Sequence, residues 1–374
     1  MKKLIIIALV FILSLSACSI FKENTETVEN EENDTKPLEI SDTPTQMFIV
    51  DALGREILFE ELPTKIVIAG RQTPMLVNFM YLFETAPEKI TAIERRGQSA
   101  DDFLAKLDSK ISNKYILERD AGVEQIAPLN PDVVILKTTM RESIGIGLEK
   151  VGIPVVYIEF ESIEQTFRDL STLAALLGEQ NRGVELINKY KQIKAEIDGL
   201  VSQATTSPNV LLGQTEERDG GIVFSVPPET WLQTAMLKEL GAKPLWLESN
   251  QGGGWTEVNI EQILNWDPDY FFVINYQGNG PSVVQSILSD PLWQSVNAID
   301  MNQTYPFGYD FLSWDQPDPR WILGYSWLAY KLYPELVTSE AVYEVVQTFY
   351  RDFYGFEEAQ CAEMITPRVV DYFG

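Results

Sequence analysis

The alternation of apolar and polar positions divides most of this 374-residue chain into short buried strands and amphipathic helices. Continuous apolar runs, such as "DVVILK", "PVVYIEF", "NVLLGQ" and "DYFFVI", predict strands that are covered on both faces. Stretches with apolar residues three and four positions apart, such as "PMLVNFMYLF" and "TWLQTAMLKELG", predict helices between them. Strands that alternate with helices are typical of an α/β fold with parallel central sheets.

Residues 162–206 interrupt this alternation. Two helical patterns follow each other there without a strand, and the second predicts a helix of about 20 residues, roughly 30 Å long. Such a helix between two α/β halves favours a rigid backbone joining two lobes over a crossover inside one sheet. We therefore predict an N-terminal α/β lobe at 47–161, a helical backbone linker at 162–206 and a C-terminal α/β lobe at 207–374.

One short unit occurs in both predicted lobes. "VEQIAPLNPDVVI" at 123–135 and "IEQILNWDPDYFF" at 260–272 each lead from a helical turn through Pro-Asp into a buried strand. Glu124 precedes Pro131 by the same distance along the chain as Glu261 precedes Pro268. Helix-Pro-Asp-strand is a common connection in α/β proteins, so the pair alone leaves both chance and internal duplication open.

The N-terminus has the pattern of an exported, lipid-anchored protein. "MKK" is followed by the apolar run "LIIIALVFILSL", which is short for a membrane span. The run ends in "LSAC", which resembles a bacterial lipobox with Cys18 as the lipidated residue; the alternative is a plain signal peptide with a cysteine nearby. We predict a lipoprotein signal peptide at 1–17 and an acidic, disordered tether at 18–46.

The chain has 55 acidic and 29 basic residues, no histidine and a formal net charge of −26. Nucleic acid is therefore not an expected partner, because phosphate binding needs a basic face. A sequence without histidine excludes Ser-His-Asp triads and histidine-ligated metal sites. The two cysteines, Cys18 and Cys361, are too few for a disulfide framework. We expect no resident metal or cofactor and no catalytic residues.

The lipobox, the "VDALGREI" entry, the two α/β halves and the long helix between them resemble one known family. It is the substrate-binding proteins of ABC importers for iron-siderophores, haem and vitamin B12, the class with a helical backbone. The resemblance covers roughly residues 47–335. It implies two Rossmann-like lobes with the ligand in the cleft between them, and a binding function rather than catalysis. It also implies a monomer, lipid-anchored on the extracytoplasmic face of the bacterial cell membrane.

The same resemblance implies the partners of the chain, which are an ABC permease dimer and its ATPase. In the vitamin B12-binding member, one glutamate per lobe pairs with arginines of the two permease subunits, and these positions correspond to Glu124 and Glu261. The alternative is that both are solvated acids at helix starts, where the helix dipole favours a negative charge.

Ligand contacts are expected in the loops at the carboxyl ends of strands. Arg71 follows a buried strand and precedes a predicted helix, a position suited to an anion. Other basic residues on the N-lobe rim could contact the ligand or remain solvated: Arg95, Arg96, Lys137 and Arg141. On the C-lobe, Trp255, Tyr276 and Tyr309 are aromatic candidates. The resemblance to the vitamin B12-binding member implies that Trp314 and Asp315 line the cleft as well, whereas Arg320 is expected to pack under its loop.

The identity of the ligand stays open among anionic small molecules. The aromatic residues of the C-lobe loops favour a wide cleft for a metal chelate, either a ferric siderophore or a corrinoid. The stretches "GRQTP" and "SWDQPDPRWILG" resemble a subgroup with a molybdate/tungstate binder, which favours an oxyanion. A surface-attached, carboxylate-dependent hydrolase is a further alternative, but the sequence shows no nucleophile elbow, P-loop or cluster of metal ligands to support it.

Overall fold

The computed structural model describes residues 47–95, 103–218 and 221–373, and these residues belong to one compact unit. The predicted signal peptide, tether and lipidated Cys18 lie outside the described residues, as does Arg96. Within these ranges, none of the helices is both long and apolar enough to cross a membrane.

The strands form a two-stranded hairpin and two larger sheets. In chain order they are β1 (Met47–Val50), β2 (Glu56–Phe59), β3 (Ile66–Ile68), β4 (Ile90–Glu94), β5 (Tyr115–Leu117), β6 (Val133–Lys137), β7 (Val155–Ile158), β8 (Asn209–Arg218), β9 (Gly221–Val226), β10 (Lys243–Pro244), β11 (Thr256–Val258), β12 (Tyr270–Ile274) and β13 (Thr304–Pro306).

The helices cover both faces of the larger sheets and continue beyond the last strand. They are α1 (Thr73–Met80), α2 (Ala86–Lys89), α3 (Phe103–Leu107), α4 (Val123–Ile126), α5 (Ile146–Lys150), α6 (Ile163–Leu177), α7 (Gln180–Val201), α8 (Leu232–Glu239), α9 (Ile260–Trp266), α10 (Gly280–Ser289), α11 (Asn297–Asp300), α12 (Trp321–Leu332), α13 (Ser339–Tyr354), α14 (Glu358–Gln360) and α15 (Thr366–Val369). Short 3-10 segments occupy Ile111–Asn113, Ala127–Leu129, Thr138–Met140, Pro291–Trp293 and Val370–Tyr372, and π-helical turns occupy Arg141–Gly145 and Cys361–Ile365.

The N-terminal sheet has the strand order β5-β4-β3-β6-β7, and every neighbouring pair is parallel. Every residue of β3, β6 and β7 is buried, as their continuous apolar runs predict. The mixed α/β class is therefore confirmed, and the carboxyl ends of these strands lie along one edge of the sheet.

The C-terminal sheet is mixed rather than wholly parallel. Its order is β11-β9-β8-β12-β13, with β10 beside the start of β8. Strands β8, β12 and β13 are parallel, but β9 runs antiparallel to β8, and β11 runs antiparallel to β9. Arg218 of β8 pairs with Gly221 of β9, with two residues of sequence between them, and a link this short can join only antiparallel strands. The parallel character predicted for this sheet holds for β8, β10, β12 and β13, but not for β9 and β11.

The repeated sequence unit forms the same local structure in both halves. The residues before the two prolines, Asn130 and Asp267, adopt left-handed backbone conformations with φ of 48° and 44°. After each proline, an aspartate caps the first residues of the neighbouring strand. Asp132 Oδ2 accepts the backbone N–H groups of Thr64 and Lys65, just before β3. In the C-terminal half, Asp269 Oδ2 accepts the N–H of Asn209, the first residue of β8.

Two successive helices, α6 and α7, stand between the sheets, as the interrupted pattern predicts. Ser162 caps α6, and Gly178 ends it with φ of 78°. The 22-residue α7 buries one apolar face that includes Tyr190, and Tyr190 stacks on Trp321 of α12 with ring centroids 5.3 Å apart. On the other side, Arg182 donates to the backbone carbonyl of Leu82. Helix α7 therefore contacts both the part of the chain that carries the N-terminal sheet and the part that carries the C-terminal sheet; we call these the N-terminal and C-terminal halves.

The C-terminal segment also contacts both halves. The Tyr354 hydroxyl at the end of α13 donates to the backbone carbonyl of Asn78 in α1 at 3.2 Å. The ring of Phe103 in α3 lies edge-on to Tyr354, with ring centroids 5.1 Å apart. The Asn78 side chain in turn donates to Asp318, in the loop before α12, at 2.5 Å. The segment therefore closes one side of the junction between the halves.

Candidate functional site

Arg71 lies at the carboxyl end of β3, exposed and directly ahead of α1. It lines a cavity of about 480 Å³ together with the acidic residues Glu94 and Asp120. Two carboxylates thus share this cavity with the guanidinium. A site built for an anion alone would carry positive charge without these acids. Arg95 follows β4 and is also exposed.

The other basic candidates at this edge have acidic partners. Lys137, at the end of β6, is buried, pairs with Glu161 at 2.8 Å and donates to the backbone carbonyl of Glu159. Arg141 follows β6 and pairs with Glu142 at 2.8 Å. These contacts leave much less free positive charge along the N-terminal edge than the count of basic residues predicts.

The turn after β7 places Glu161 against Lys137. Phe160 adopts a left-handed conformation with φ of 59°, and its ring stacks on Phe79 at 3.8 Å. Asp169 of α6 accepts the backbone N–H groups of Glu159 and Phe160 at 2.6 and 2.9 Å. Because a left-handed phenylalanine is unfavourable on its own, these contacts hold the turn in its conformation.

The C-terminal half supplies three aromatic rings that pack edge to face. Trp255, in the loop before β11, lies 5.7 Å from Trp231 and 6.4 Å from Tyr276 between ring centroids. Tyr276 follows the carboxyl end of β12. All three residues are partly exposed. We call Trp231, Trp255 and Tyr276 the aromatic wall; the sequence predicted two of its members.

Asp315 lies behind this wall rather than on its surface. Its carboxylate is fully buried and accepts from the Tyr276 hydroxyl at 2.8 Å, the Gln233 amide at 3.1 Å and the Ser313 hydroxyl at 2.5 Å. Burial raises the pKa of Asp315, while these hydrogen bonds oppose the rise. Burial also raises the pKa of Tyr276 well above its ordinary value, and the charges of Asp315 and Glu161 add to the rise. The Glu161 carboxylate of the N-terminal half therefore lies close to the wall.

Trp314 and Tyr309 occupy different environments. The Trp314 indole is fully buried and donates to Asp310 at 2.9 Å, so no ring face is open to a ligand in this structure. Tyr309 is partly buried, and its ring packs over Gly278, whose φ is 78°. Contact of either ring with a ligand stays a prediction. The described residues contain no group of three or more Cys, Asp or Glu side chains placed to hold a metal ion.

Arg320 is buried beneath the loop before α12, which confirms the sequence expectation. It pairs with Asp310 at 3.0 Å and Asp318 at 2.8 Å, and its guanidinium lies 4.1 Å above the ring of Phe103. The cluster thus joins the loop to the N-terminal half. One guanidinium faces two buried carboxylates here, and Arg320 Nη2 has no hydrogen-bond partner among the described residues.

The sequence profile of a family described as periplasmic binding protein matches residues 89–307. This chain belongs to the periplasmic binding protein family. The match spans β4 to the residue after β13 and therefore includes both repeated units, α7 and the aromatic wall.

Several relatives of this periplasmic binding protein have named ligands. The molybdate-binding protein MolA of Haemophilus influenzae is 23% identical over 328 residues, which is 82% of this chain and 90% of MolA. The iron(3+)-hydroxamate-binding protein FhuD of Bacillus subtilis is 24% identical over 204 residues, 51% of this chain and 60% of FhuD. The Fe(3+) dicitrate-binding periplasmic protein FecB of Escherichia coli is 26% identical over 183 residues, 49% of this chain and 57% of FecB.

Solved structures share the fold. A periplasmic solute binding protein from Veillonella parvula has a TM-score of 0.71 at 20% identity, over 88% of this chain and 98% of its own. Molybdate-bound MolA has a TM-score of 0.66 at 19% identity, over 83% and 98% of the two chains. The family match identifies the chain as a binding protein, so the hydrolase alternative is set aside.

The two glutamates of the repeated unit are exposed in this periplasmic binding protein. Glu124 and Glu261 each occupy the second position of a short helix, α4 and α9. The start of α9 is held by a capping box between Asn259 and Gln262, whereas Gly122, the residue before α4, provides no side-chain cap. Their role in docking stays a prediction.

Four residues of the site were missed by sequence reasoning. Glu161 lies three residues after the end of β7, at the same edge as Arg71, so the strand-end rule would have found it. Trp231, Gln233 and Ser313 are brought to the wall from α8 and from the loop after β13 by the folded chain, and no local pattern marks them.

Proposed function

We propose that this chain is a lipid-anchored, extracytoplasmic receptor that delivers a metal chelate to an ABC importer. The observation that carries the proposal is the aromatic wall at the carboxyl edge of the C-terminal sheet, opposite the charged residues after β7. Partly exposed aromatic rings suit the flat organic surface of a ferric siderophore or a corrinoid, which buries apolar area as well as charge. The iron-chelate relatives FhuD and FecB support this class.

A second candidate is the same receptor role for an oxyanion such as molybdate or tungstate. It is supported by the exposed Arg71 ahead of α1 and by the similarity to MolA over most of both chains. The carboxylates beside Arg71 and the pairing of Lys137 with Glu161 weigh against a bare anion in this edge. We therefore rank the chelate first.

The partner and the anchor complete the proposal. Glu124 and Glu261 would dock onto the two subunits of the permease dimer, whose ATPase drives import. Cys18, in its lipobox-like setting, would hold the receptor on the membrane through its acyl chains. A monomer with two equivalent acidic groups matches a two-fold permease that presents two equivalent basic sites.

Thermal unfolding of residues 47–374 tests the ligand class. The probes are a ferric trihydroxamate, ferric citrate, cyanocobalamin and sodium molybdate. A bound probe at 100 times its dissociation constant stabilises the protein by about 2.7 kcal/mol and raises the melting temperature accordingly. We expect the shift with a ferric chelate or the corrinoid, and we expect Trp255→Ala to reduce it by removing the middle ring of the wall.

Matched variants separate the two candidates. Phe48→Ala, which removes an exposed ring of β1, should leave the shift unchanged. A shift with molybdate alone that persists in Trp255→Ala and is lost in Arg71→Ala would replace the chelate by the oxyanion. No shift with any of the four probes would contradict the proposed ligand classes.

A further inference from the structure

The carboxylate of Asp315 is enclosed by neutral donors. Ser313 donates to Oδ1, while Gln233 and Tyr276 both donate to Oδ2. The residue has no exposed surface. A carboxylate in this setting cannot touch a solute in the cleft, yet it is bonded directly to a residue of the aromatic wall.

The hydrogen bond from the Tyr276 hydroxyl to Asp315 restricts the position of the Tyr276 ring. Tyr276 lies in the loop after β12, where its ring would otherwise exchange between side-chain rotamers. With its hydroxyl held by Asp315, the ring edge packs against Trp255, and Trp255 packs against Trp231. A binding surface that is already in place binds more tightly, because less side-chain entropy is lost on association.

We propose that Asp315 is a positioning residue, which holds the Tyr276 ring, and through it the Trp255 indole, as the surface on which the solute stacks. The solute class that this surface selects has a flat organic face, such as a corrin ring or the organic shell of a ferric chelate. Contact with the solute rests on the proposed function, whereas the positioning is a property of the ligand-free protein.

The structure also shows why the role falls to a carboxylate. Its two oxygens serve three donors from three places in the chain: α8 through Gln233, the loop after β12 through Tyr276, and its own loop through Ser313. A carboxylate has lone pairs for all three, and a carboxamide has only one acceptor oxygen. The tyrosine hydroxyl and the glutamine amide share Oδ2, so the wall is tied to α8.

A ligand-free experiment tests the positioning. The Trp255 contribution to the near-ultraviolet circular dichroism is obtained by subtracting the spectrum of Trp255→Phe. We expect Asp315→Leu, which has a similar volume but no acceptor, to lose most of this contribution, and Asp315→Asn, which keeps one acceptor oxygen, to restore a large part. Tyr276→Phe removes only the hydroxyl and should lose as much as Asp315→Leu; this second variant decides the matter if Asp315→Leu does not fold. An unchanged Trp255 contribution in Tyr276→Phe would overturn the proposal.

A ligand experiment tests the consequence. Binding of a ferric trihydroxamate and of cyanocobalamin is followed by quenching of tryptophan fluorescence. We expect Tyr276→Phe and Asp315→Leu each to weaken binding by about tenfold, the order of one hydrogen bond. Both substitutions act on the Tyr276 ring. The double variant should therefore bind the probe with the same affinity as the single variant that binds it less tightly. Losses that multiply would show that Asp315 acts independently of Tyr276 and would overturn the proposal.

Two controls keep the outcomes apart. Ser313→Ala removes the donor to the other carboxylate oxygen and should change affinity far less than Tyr276→Phe. If the unmodified protein binds neither probe, the proposed chelate function fails, while the ligand-free spectra still decide whether Asp315 positions the wall.

Discussion

Lys331 is a charged side chain that packs among aromatic rings. The Lys331 ammonium of α12 lies over the rings of Tyr330, Tyr305 and Trp327, at 4.5, 4.8 and 5.7 Å from their centroids. Burial among these rings lowers its pKa to about 8. Cation–π attraction therefore recovers only part of the hydration that the ammonium loses.

Replacing this lysine should stabilise the protein at neutral pH. The unfolded chain, with a lysine pKa of about 10.4, binds the proton more tightly than the folded chain. Stability therefore increases as pH rises from about 8 to about 10.5 and is insensitive to this group below about 8. Lys331→Met should remove that slope and add about 1 kcal/mol to the free energy of unfolding at pH 7, after the loss of cation–π contacts.

Urea unfolding at pH 7 and pH 9.5 measures the effect of Lys331→Met. Lys243→Met, at an exposed position of β10, is the control and should leave the pH dependence as it is. Parallel pH dependence in the unmodified protein and Lys331→Met would contradict the expected effect of burial on Lys331.

Individual side chains differ in how far the sequence predicts them. The location of Arg71 follows from local pattern, because a strand end and the next helix start are both visible in neighbouring residues. The environment of Asp315 does not, because its donors Gln233 and Tyr276 lie 82 and 39 residues away along the chain. Only tertiary packing decides which distant donors meet a carboxylate.

At the scale of elements, the aspartate after each repeated proline is a strand cap. The Asp132 carboxylate accepts from two backbone N–H groups and from the Thr64 hydroxyl, at 2.8 to 2.9 Å. Burial alone would raise the pKa of Asp132, but the hydrogen bonds from Thr64 and Lys65 lower it by more. The ionised form therefore stabilises the start of β3.

Asp132→Asn should destabilise the protein by about 1–3 kcal/mol at pH 7, the range for a charge-assisted hydrogen bond to a partly buried group. Because the folded-state pKa is depressed, this contribution is present above the unfolded value of about 3.9 and is lost as pH falls through the folded value. The unfolding curves of the variant and the unmodified protein should converge in strong acid.

The second copy of the unit is the matched control for Asp132→Asn. The Asp269 carboxylate accepts one backbone N–H, from Asn209, and the side-chain amide of Asn297, compared with three donors at Asp132, so Asp269→Asn should have the same sign and a smaller size. An effect of Asp132→Asn that is independent of pH down to strong acid would contradict a role for the charge.

The elements themselves were largely predictable, since strands and helices are set by local periodicity. The direction of β9 was missed, although a local signal exists. Between the paired Arg218 and Gly221 the sequence is Asp-Gly, a dipeptide typical of two-residue hairpins. The π-helical turn at Arg141–Gly145 has no comparable signal in the sequence.

At the scale of the whole molecule, a hydrogen bond, a cation–ring contact and a long helix join the two halves. Asn78 bonds Asp318, Arg320 lies over Phe103, and α7 runs along both halves. Sequence reasoning found the long helix but not the cross-contacts, because the pairing of α1 and α3 with the loop before α12 depends on how the halves meet. These contacts favour a small closing motion around a solute over a wide hinge opening.

Limited motion gives the docking glutamates a defined spacing, and this leads to the last prediction. If Glu124 and Glu261 each pair with a basic group of one permease subunit, each exposed pair contributes about 0–1 kcal/mol. Glu124→Ala with Glu261→Ala should therefore weaken association of ligand-loaded residues 47–374 with the permease–ATPase complex in nanodiscs by up to about 30-fold, and more at low than at high salt. The dissociation constant of the ligand should not change, because both carboxylates are exposed at helix starts and neither belongs to the aromatic wall. Glu164→Ala with Glu340→Ala removes two exposed acids from the same second helical position of α6 and α13, and it should leave association intact. Equal losses in the two double variants would mean that overall charge, rather than two specific contacts, draws the receptor to its partner.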